Sequence, residues 1–169
     1  MEVAARDEIL LPVRPSFIVF TLTCAALLNM LLGPAAWLRP DFVALVVLYW
    51  CIHQPWLVGF VAAFSLGLLM DVAEGTLLGQ HALAYSILAF AGIVLHRRVR
   101  MFSLTAQVVY VIPLLLANDL IVVGIRLLGG AGFPGYQYFA GSIVAGLLWP
   151  AISVLLKLPQ RPRADPDHV

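Results

Sequence analysis

The sequence predicts an all-α fold, a polytopic membrane bundle of about six transmembrane helices, and three observations carry that reading. Apolar residues make up 62% of the 169 positions, charged residues only 11%, and the mean hydropathy is +0.97. No soluble fold of this length hides so much apolar surface from water. The apolar runs lack the strict alternation of barrel strands, and an open sheet edge cannot be satisfied in hydrocarbon, so the spanning elements are helices. Charged residues gather between the runs, with only Asp119 and Arg126 inside one.

The first run extends from about Phe17 to Trp37, long enough at 1.5 Å per residue to cross a hydrocarbon core of about 30 Å. Gly33 and Pro34 loosen its far end. "RPDF" (Arg39 to Phe42) marks an interface, where Pro40 opens a new helix and Arg39 and Asp41 stay among headgroups. Two shorter runs follow, Phe42 to Ile52 and Leu57 to Met70, separated by "HQPW". Each falls short of the ~20 residues of an ordinary span, so they form two short tilted helices or one re-entrant hairpin.

A polar island, "MDVAEGTLLGQHAL" (Met70 to Leu83), comes next. Asp71 and Glu74 there read as solvated acids capping a loop, and Gly75 and Gly79 as a tight connection that closes one helix onto the next. His81 to Leu95 is the fourth run and leads into "HRRVR". The fifth, Leu104 to Leu128, carries Asn118, Asp119 and Arg126, and a glycine-rich turn precedes the last, from about Phe139 to Leu156. Gly59, Ala62, Ala63 and Gly67 give the third run a small face for close helix packing. Residues 1–16 read as a cytoplasmic N-terminal segment, 17–158 as one transmembrane domain and 159–169 as a disordered cytoplasmic tail. The N-terminal residues mix Glu2, Asp7 and Glu8 with Arg6 and Arg14, which is no cleavable signal, so the first run reads as an uncleaved anchor.

Orientation follows from the basic clusters. With a cytoplasmic N-terminus, Arg97, Arg98 and Arg100 fall inside together with Lys157, Arg161 and Arg163, leaving Arg39 and Arg126 toward the outer side. Trp37, Trp50, Trp56, Tyr136, Tyr138 and Trp149 lie near run ends as an aromatic belt would. A net charge of +1 gives no surface for nucleic acid. Cys24 and Cys51 sit in apolar runs without CxxC spacing and read as packing residues. His53, His81, His96 and His168 form no i, i+4 pair, and no catalytic or cofactor motif is present, so no enzyme, metal or cofactor is expected.

Asp119 is the strongest oddity, because a carboxylate within a span is costly and marks an internal partner, a second protein's helix or a proton or ion path. Arg126 lies two turns further on the same face, about 10 Å along the axis, too far for an intrahelical pair. Each therefore looks to another helix or to water.

"RPDFVALVVLYW", "GLLMDVAEGTLLGQHALAY", "AND" (Ala117 to Asp119) and "GLLWPAIS" resemble, in order and spacing, the rod shape-determining protein MreD family. The likeness rests on Arg39-Pro40, Asp71 with Gly75 and Gly79, Asp119, and Trp149-Pro150, and leaves out only the ends, before about Phe20 and after Pro159. It implies a non-catalytic protein of the bacterial inner membrane that works with MreC, the actin-like MreB, the polymerase RodA and its class B penicillin-binding protein. It also implies a fold like the six-helix substrate-binding subunits of energy-coupling-factor vitamin transporters.

In that reading a helix groove accepts the membrane helix of MreC, with Asp119 and Arg126 as its polar contacts, and "HRRVR" either touches cytoplasmic partners or only sets orientation. Arg39, Asp41, Asp71, Gly75, Gly79, Trp149 and Pro150 stand beside them as partner or structural candidates. The transporter likeness supplies an alternative, a small-solute binding or transport subunit with a pocket between the first loop and the 71–80 connection. Against it, the Ala-x-x-x-Ala docking face of such subunits is missing, since Ala25 and Ala26 are followed four places on by Asn29 and Met30. A membrane peptidase or synthase would need paired groups at one depth, and only Asp119 lies deep.

Overall fold

The structure, a computed structural model, describes residues 13–32 and 39–160. The expectations placed on residues 1–12, on Gly33 to Leu38 with Trp37, and on the tail after Gln160 with His168 lie outside the described residues. Among those described there are six α-helices and no strand: α1 Pro15–Leu32, α2 Phe42–His53, α3 Phe60–Glu74, α4 Gln80–Arg100, α5 Leu104–Leu128 and α6 Gln137–Lys157. A 3₁₀ turn, Leu158–Gln160, closes α6. Four elements are long and apolar enough to cross a membrane, namely α1, α4, α5, and α6 with its closing turn.

The sequence FVALVVLYWCIH is apolar on every side, so a helix made of it has to be covered on every side. Accordingly α2 is the core of the bundle, with every residue from Val43 to Ile52 buried. It packs mainly on α4 and α1, with α5 and α6 completing its cover. The other short helix, α3, lies against α4, and α2 and α3 share no packed interface. At 12 residues α2 is about 18 Å long, well short of the hydrocarbon thickness of about 30 Å.

Lipid offers no hydrophobic drive between helices, so close packing depends on small residues that let backbones approach. A Cβ on Gly67 of α3 would fall inside the backbone of His81 and Ala82 at the start of α4. One on Gly92 of α4 would meet Leu48 Cδ1 at 3.0 Å and Cys51 Cβ at 3.2 Å on α2, and one on Gly146 of α6 would strike Ile112 of α5. The small face expected on the third run is thus used within this chain: Ala63 and Gly67 are buried, Ala62 is partly buried and Gly59 has nothing near it.

Several boundaries depart from the sequence reading. Helix α2 begins at Phe42 rather than Pro40, because the Asp41 carboxylate accepts from Ala44 N–H at 3.0 Å and so acts as N-cap. Helix α3 begins at Phe60, since Leu57 and Val58 donate to the Gln54 carbonyl in a turn of their own. Asp71 and Glu74 occupy the last turn of α3, and the connection to α4 is only Gly75 to Gly79. Gly75 and Gly79 take φ of +63° and +99°, left-handed values that a Cβ would penalise. Trp50 and Trp149 are fully buried, not belt residues: their indole N–H groups donate to Thr21 Oγ1 at 3.0 Å and to Gln107 Oε1 at 2.9 Å. Trp56 and Tyr136 are exposed. Of the cysteines, Cys24 is exposed and Cys51 buried.

Candidate functional site

A polar cluster lies at one end of the bundle, where residues 39–41, 75–79 and 129–136 connect the helices. Three carboxylates there do structural work. Asp41 Oδ1 accepts from Asn29 Nδ2 at 2.8 Å and from Ala44 N–H, while Oδ2 accepts from Tyr85 O–H at 2.7 Å. Asn29 returns the contact by accepting from Phe42 N–H at 3.0 Å. One side chain thereby ties α1, α2 and α4 together.

Asp71, 1% exposed, caps α4 from across the connection. Its Oδ2 accepts from Gly79 N–H at 2.8 Å, and its Oδ1 from His81 N–H at 2.8 Å and Thr76 Oγ1 at 3.2 Å. The His81 ring presents Nδ1 to the same Oδ1 at 2.8 Å, which requires the tautomer with hydrogen on Nδ1. The first turn of a helix leaves N–H groups without partners, and here a carboxylate of the preceding helix satisfies them. Asp71 is therefore buried and fully engaged, a correction to its reading as a solvated acid.

Glu74 pairs with Arg39 and has His81 Nε2 at 3.9 Å. Burial alone would push the Arg39 guanidinium down, but the hydrogen bond and charge of Glu74, with the charge of Asp41, raise its pKa above the ordinary value. The pair joins the first connection to the end of α3.

Behind these locks lies a cleft of about 670 Å³. Arg39, Asp41, Glu74, Gly75, Gln80 and His81 line one side, and Asp119, Arg126, Gln137, Tyr138 and Ser142 the other. Asp119 is 4% exposed, and its Oδ2 accepts from Ser142 Oγ on α6 at 2.5 Å. Arg126 is half-buried and has no ion pair among the described residues. Asp119 and Arg126 thus look away from each other's reach and into one cleft. A helix docked on the outer surface of the bundle does not touch Asp119.

A family described as rod shape-determining protein MreD matches residues 8–158. The chain belongs to the MreD family. A relative named rod shape-determining protein MreD, from Haemophilus influenzae, is 30% identical over 124 residues, 73% of this chain and 76% of that protein. No solved structure matches the chain. Family and helices together make it a membrane protein of the rod-shape system.

The motifs of the MreD resemblance divide between the two ends. Arg39, Asp41, Asp71, Gly75, Gly79 and Asp119 all fall at or beside the cleft, as does Arg126, which lies outside those motifs. Trp149 and Pro150 lie inside α6 away from it. Trp149 packs beside Tyr49, with ring centroids 5.9 Å apart, and Tyr49 stacks on His53 at 4.1 Å. Asn29, Tyr85, Gln80 and Ser142 are not legible in the sequence as site residues. Their only signal is a hydrogen-bonding side chain in an otherwise apolar run, which in lipid demands a partner.

Proposed function

We propose that this chain is a non-catalytic inner-membrane adaptor of the rod elongation complex, holding MreC by its membrane helix for MreB, RodA and the class B penicillin-binding protein. One observation supports a docking face. On α5, Pro113, Ala117 and Leu120 are exposed, and a Cβ on Gly124 would meet nothing within 4 Å. These positions follow one another at intervals of four, three and four residues, a single stripe along the helix. Small residues on a lipid-facing stripe let a second helix approach closely, and van der Waals contact then supplies the association.

The locks at the cleft end fit the same role. With Asp41, Asp71 and Glu74 engaged in joining connections, they stiffen a frame against which a partner helix can be held. The burial of Asp119 moves the MreC contact from Asp119 to the α5 stripe, while Arg126 belongs to the cleft. The six-helix likeness to transporter substrate-binding subunits accords with the helix number and with a cleft beside the 75–79 connection.

Site-directed photo-crosslinking in bacterial membranes tests the assignment. Probes at Ala117, Leu120 and Gly124 capture MreC, whereas probes at the exposed Leu69 of α3 and Phe90 of α4 do not. Capture from α3 or α4 instead of α5, or periodic capture nowhere, overturns it.

A further inference from the structure

The charges around the cleft do not cancel evenly. On the side of α3 and α4, Arg39 is matched by Glu74, His81 by Asp71, and Asp41 is filled by Asn29, Tyr85 and its own helix. On the α5 side, the Asp119 carboxyl and the Arg126 guanidinium lie about 10 Å apart along the axis at 1.5 Å per residue, with no ion pair among the described residues. Ser142 on α6 and the neighbouring Asn118 hydrogen-bond to the Asp119 carboxyl, but neither brings a countercharge. Gln80 is 3% exposed, lines the cleft, and its side-chain amide has no partner among the described residues.

A membrane-embedded carboxylate and a guanidinium facing one polar cavity call for a ligand that answers both. We propose that the cleft binds a small zwitterion, its primary ammonium on Asp119, its phosphate or carboxylate on Arg126, and a hydrogen bond from Gln80. An ammonium stabilises the ionised form of the buried Asp119 carboxyl, and the planar fork of Arg126 suits a two-oxygen anion. The cavity, about 670 Å³, falls in the size range of small-molecule sites, while its lining is far more polar than most of them. The same chemistry is found free in solution or as the headgroup of an aminophospholipid.

Native mass spectrometry of the purified full chain in detergent tests this, with O-phosphoethanolamine and dioleoyl phosphatidylethanolamine as probes and dioleoyl phosphatidylglycerol as the control lacking an amine. The wild-type chain retains at least one amine probe and not the glycerol lipid. Retention of the lipid alone assigns a headgroup, and retention of the free compound assigns a solute. Asp119→Asn and Arg126→Gln each weaken retention at least about tenfold, and Arg126→Lys weakens it less. Unchanged melting temperature in Asp119→Asn shows that the loss is local, and photo-capture of MreC from the α5 stripe persists in it, so the two proposals fail separately. Equal retention of phosphatidylglycerol, no retention of either amine probe, or retention undiminished in both charge variants overturns the assignment.

Discussion

At the scale of single residues, Asp71 shows what a carboxylate does when water is absent. Its two oxygens meet two backbone N–H groups at 2.8 Å, a hydroxyl and an imidazole. Removing the acid leaves the buried N–H and ring of His81, and the partly buried Gly79 N–H and Thr76 hydroxyl, without that acceptor, and each unmet buried group costs on the order of 1–3 kcal/mol. Asp71→Ala should therefore lower stability by about 3 kcal/mol or more, and Asp71→Asn by less, since its amide oxygen still accepts while its NH₂ faces donors. Thermal unfolding in detergent, followed by loss of the monodisperse peak, measures both. The spacing of the sequence shows that Asp71 is near a helix end, which is why it reads as a cap. It cannot show that the capped helix is the next one. That depends on the five-residue connection and the left-handed Gly79, which together bring α4 back over the carboxylate. Arg39 and Glu74, 35 positions apart, are illegible as a pair for the same reason: no local period relates them.

At the scale of elements, the runs read cleanly where they are long. Leu104 to Leu128 is one helix in the sequence reading and in the fold, and α4 and α6 differ from their expected starts by one or two residues. Of the short runs, Phe42 to Ile52 matches α2 within one residue, whereas Leu57 to Met70 starts three residues before α3 and stops four before its end, because Leu57 and Val58 turn on the Gln54 carbonyl and α3 runs on to the left-handed Gly75. Helix contacts are fixed by glycines whose neighbours the sequence does not name. The substitutions Gly67→Ala, Gly92→Ala and Gly124→Ala separate these cases. At Gly67 the new methyl falls within the α4 backbone, which cannot yield, so little folded protein is expected. At Gly92 it presses on Leu48 Cδ1 and Cys51 Cβ, which shift at a cost of about 1–3 kcal/mol. At Gly124 it meets nothing, and alanine gains about 1 kcal/mol of helix propensity over glycine. Folded yield by size-exclusion chromatography and melting temperature should rank Gly124→Ala above Gly92→Ala above Gly67→Ala. A tolerated Gly67→Ala would mean that α3 and α4 are farther apart than described.

At the scale of the whole molecule, the two ends of the bundle differ in chemistry. One holds the cleft with its paired acids and bases, and the other the arginines of Arg97, Arg98 and Arg100 with Lys157. The turn between α2 and α3 belongs to the basic end, because His53 lies within reach of the charges of Lys157 and Arg100. On the positive-inside rule we propose that this end faces the cytoplasm and the cleft the outer side. Single cysteines in a Cys24→Ser, Cys51→Ala background test this with a membrane-impermeant maleimide. Leu78, in the 75–79 connection, and Met101, after the arginines, are both well exposed. Leu78→Cys should label from outside, and Met101→Cys only after the inner membrane is opened. The reverse pattern would invert the molecule. Trp56, 97% exposed at the α2–α3 turn, then decides what a 12-residue core helix does in a bilayer. If α2 and α3 carry the chain across, with the bilayer thinned or the helices tilted around them, Trp56→Cys labels from the cytoplasmic side like Met101→Cys. If their turn stops within the hydrocarbon, Trp56→Cys labels from neither side, and α2 is a core helix held inside the bundle by α1, α4, α5 and α6.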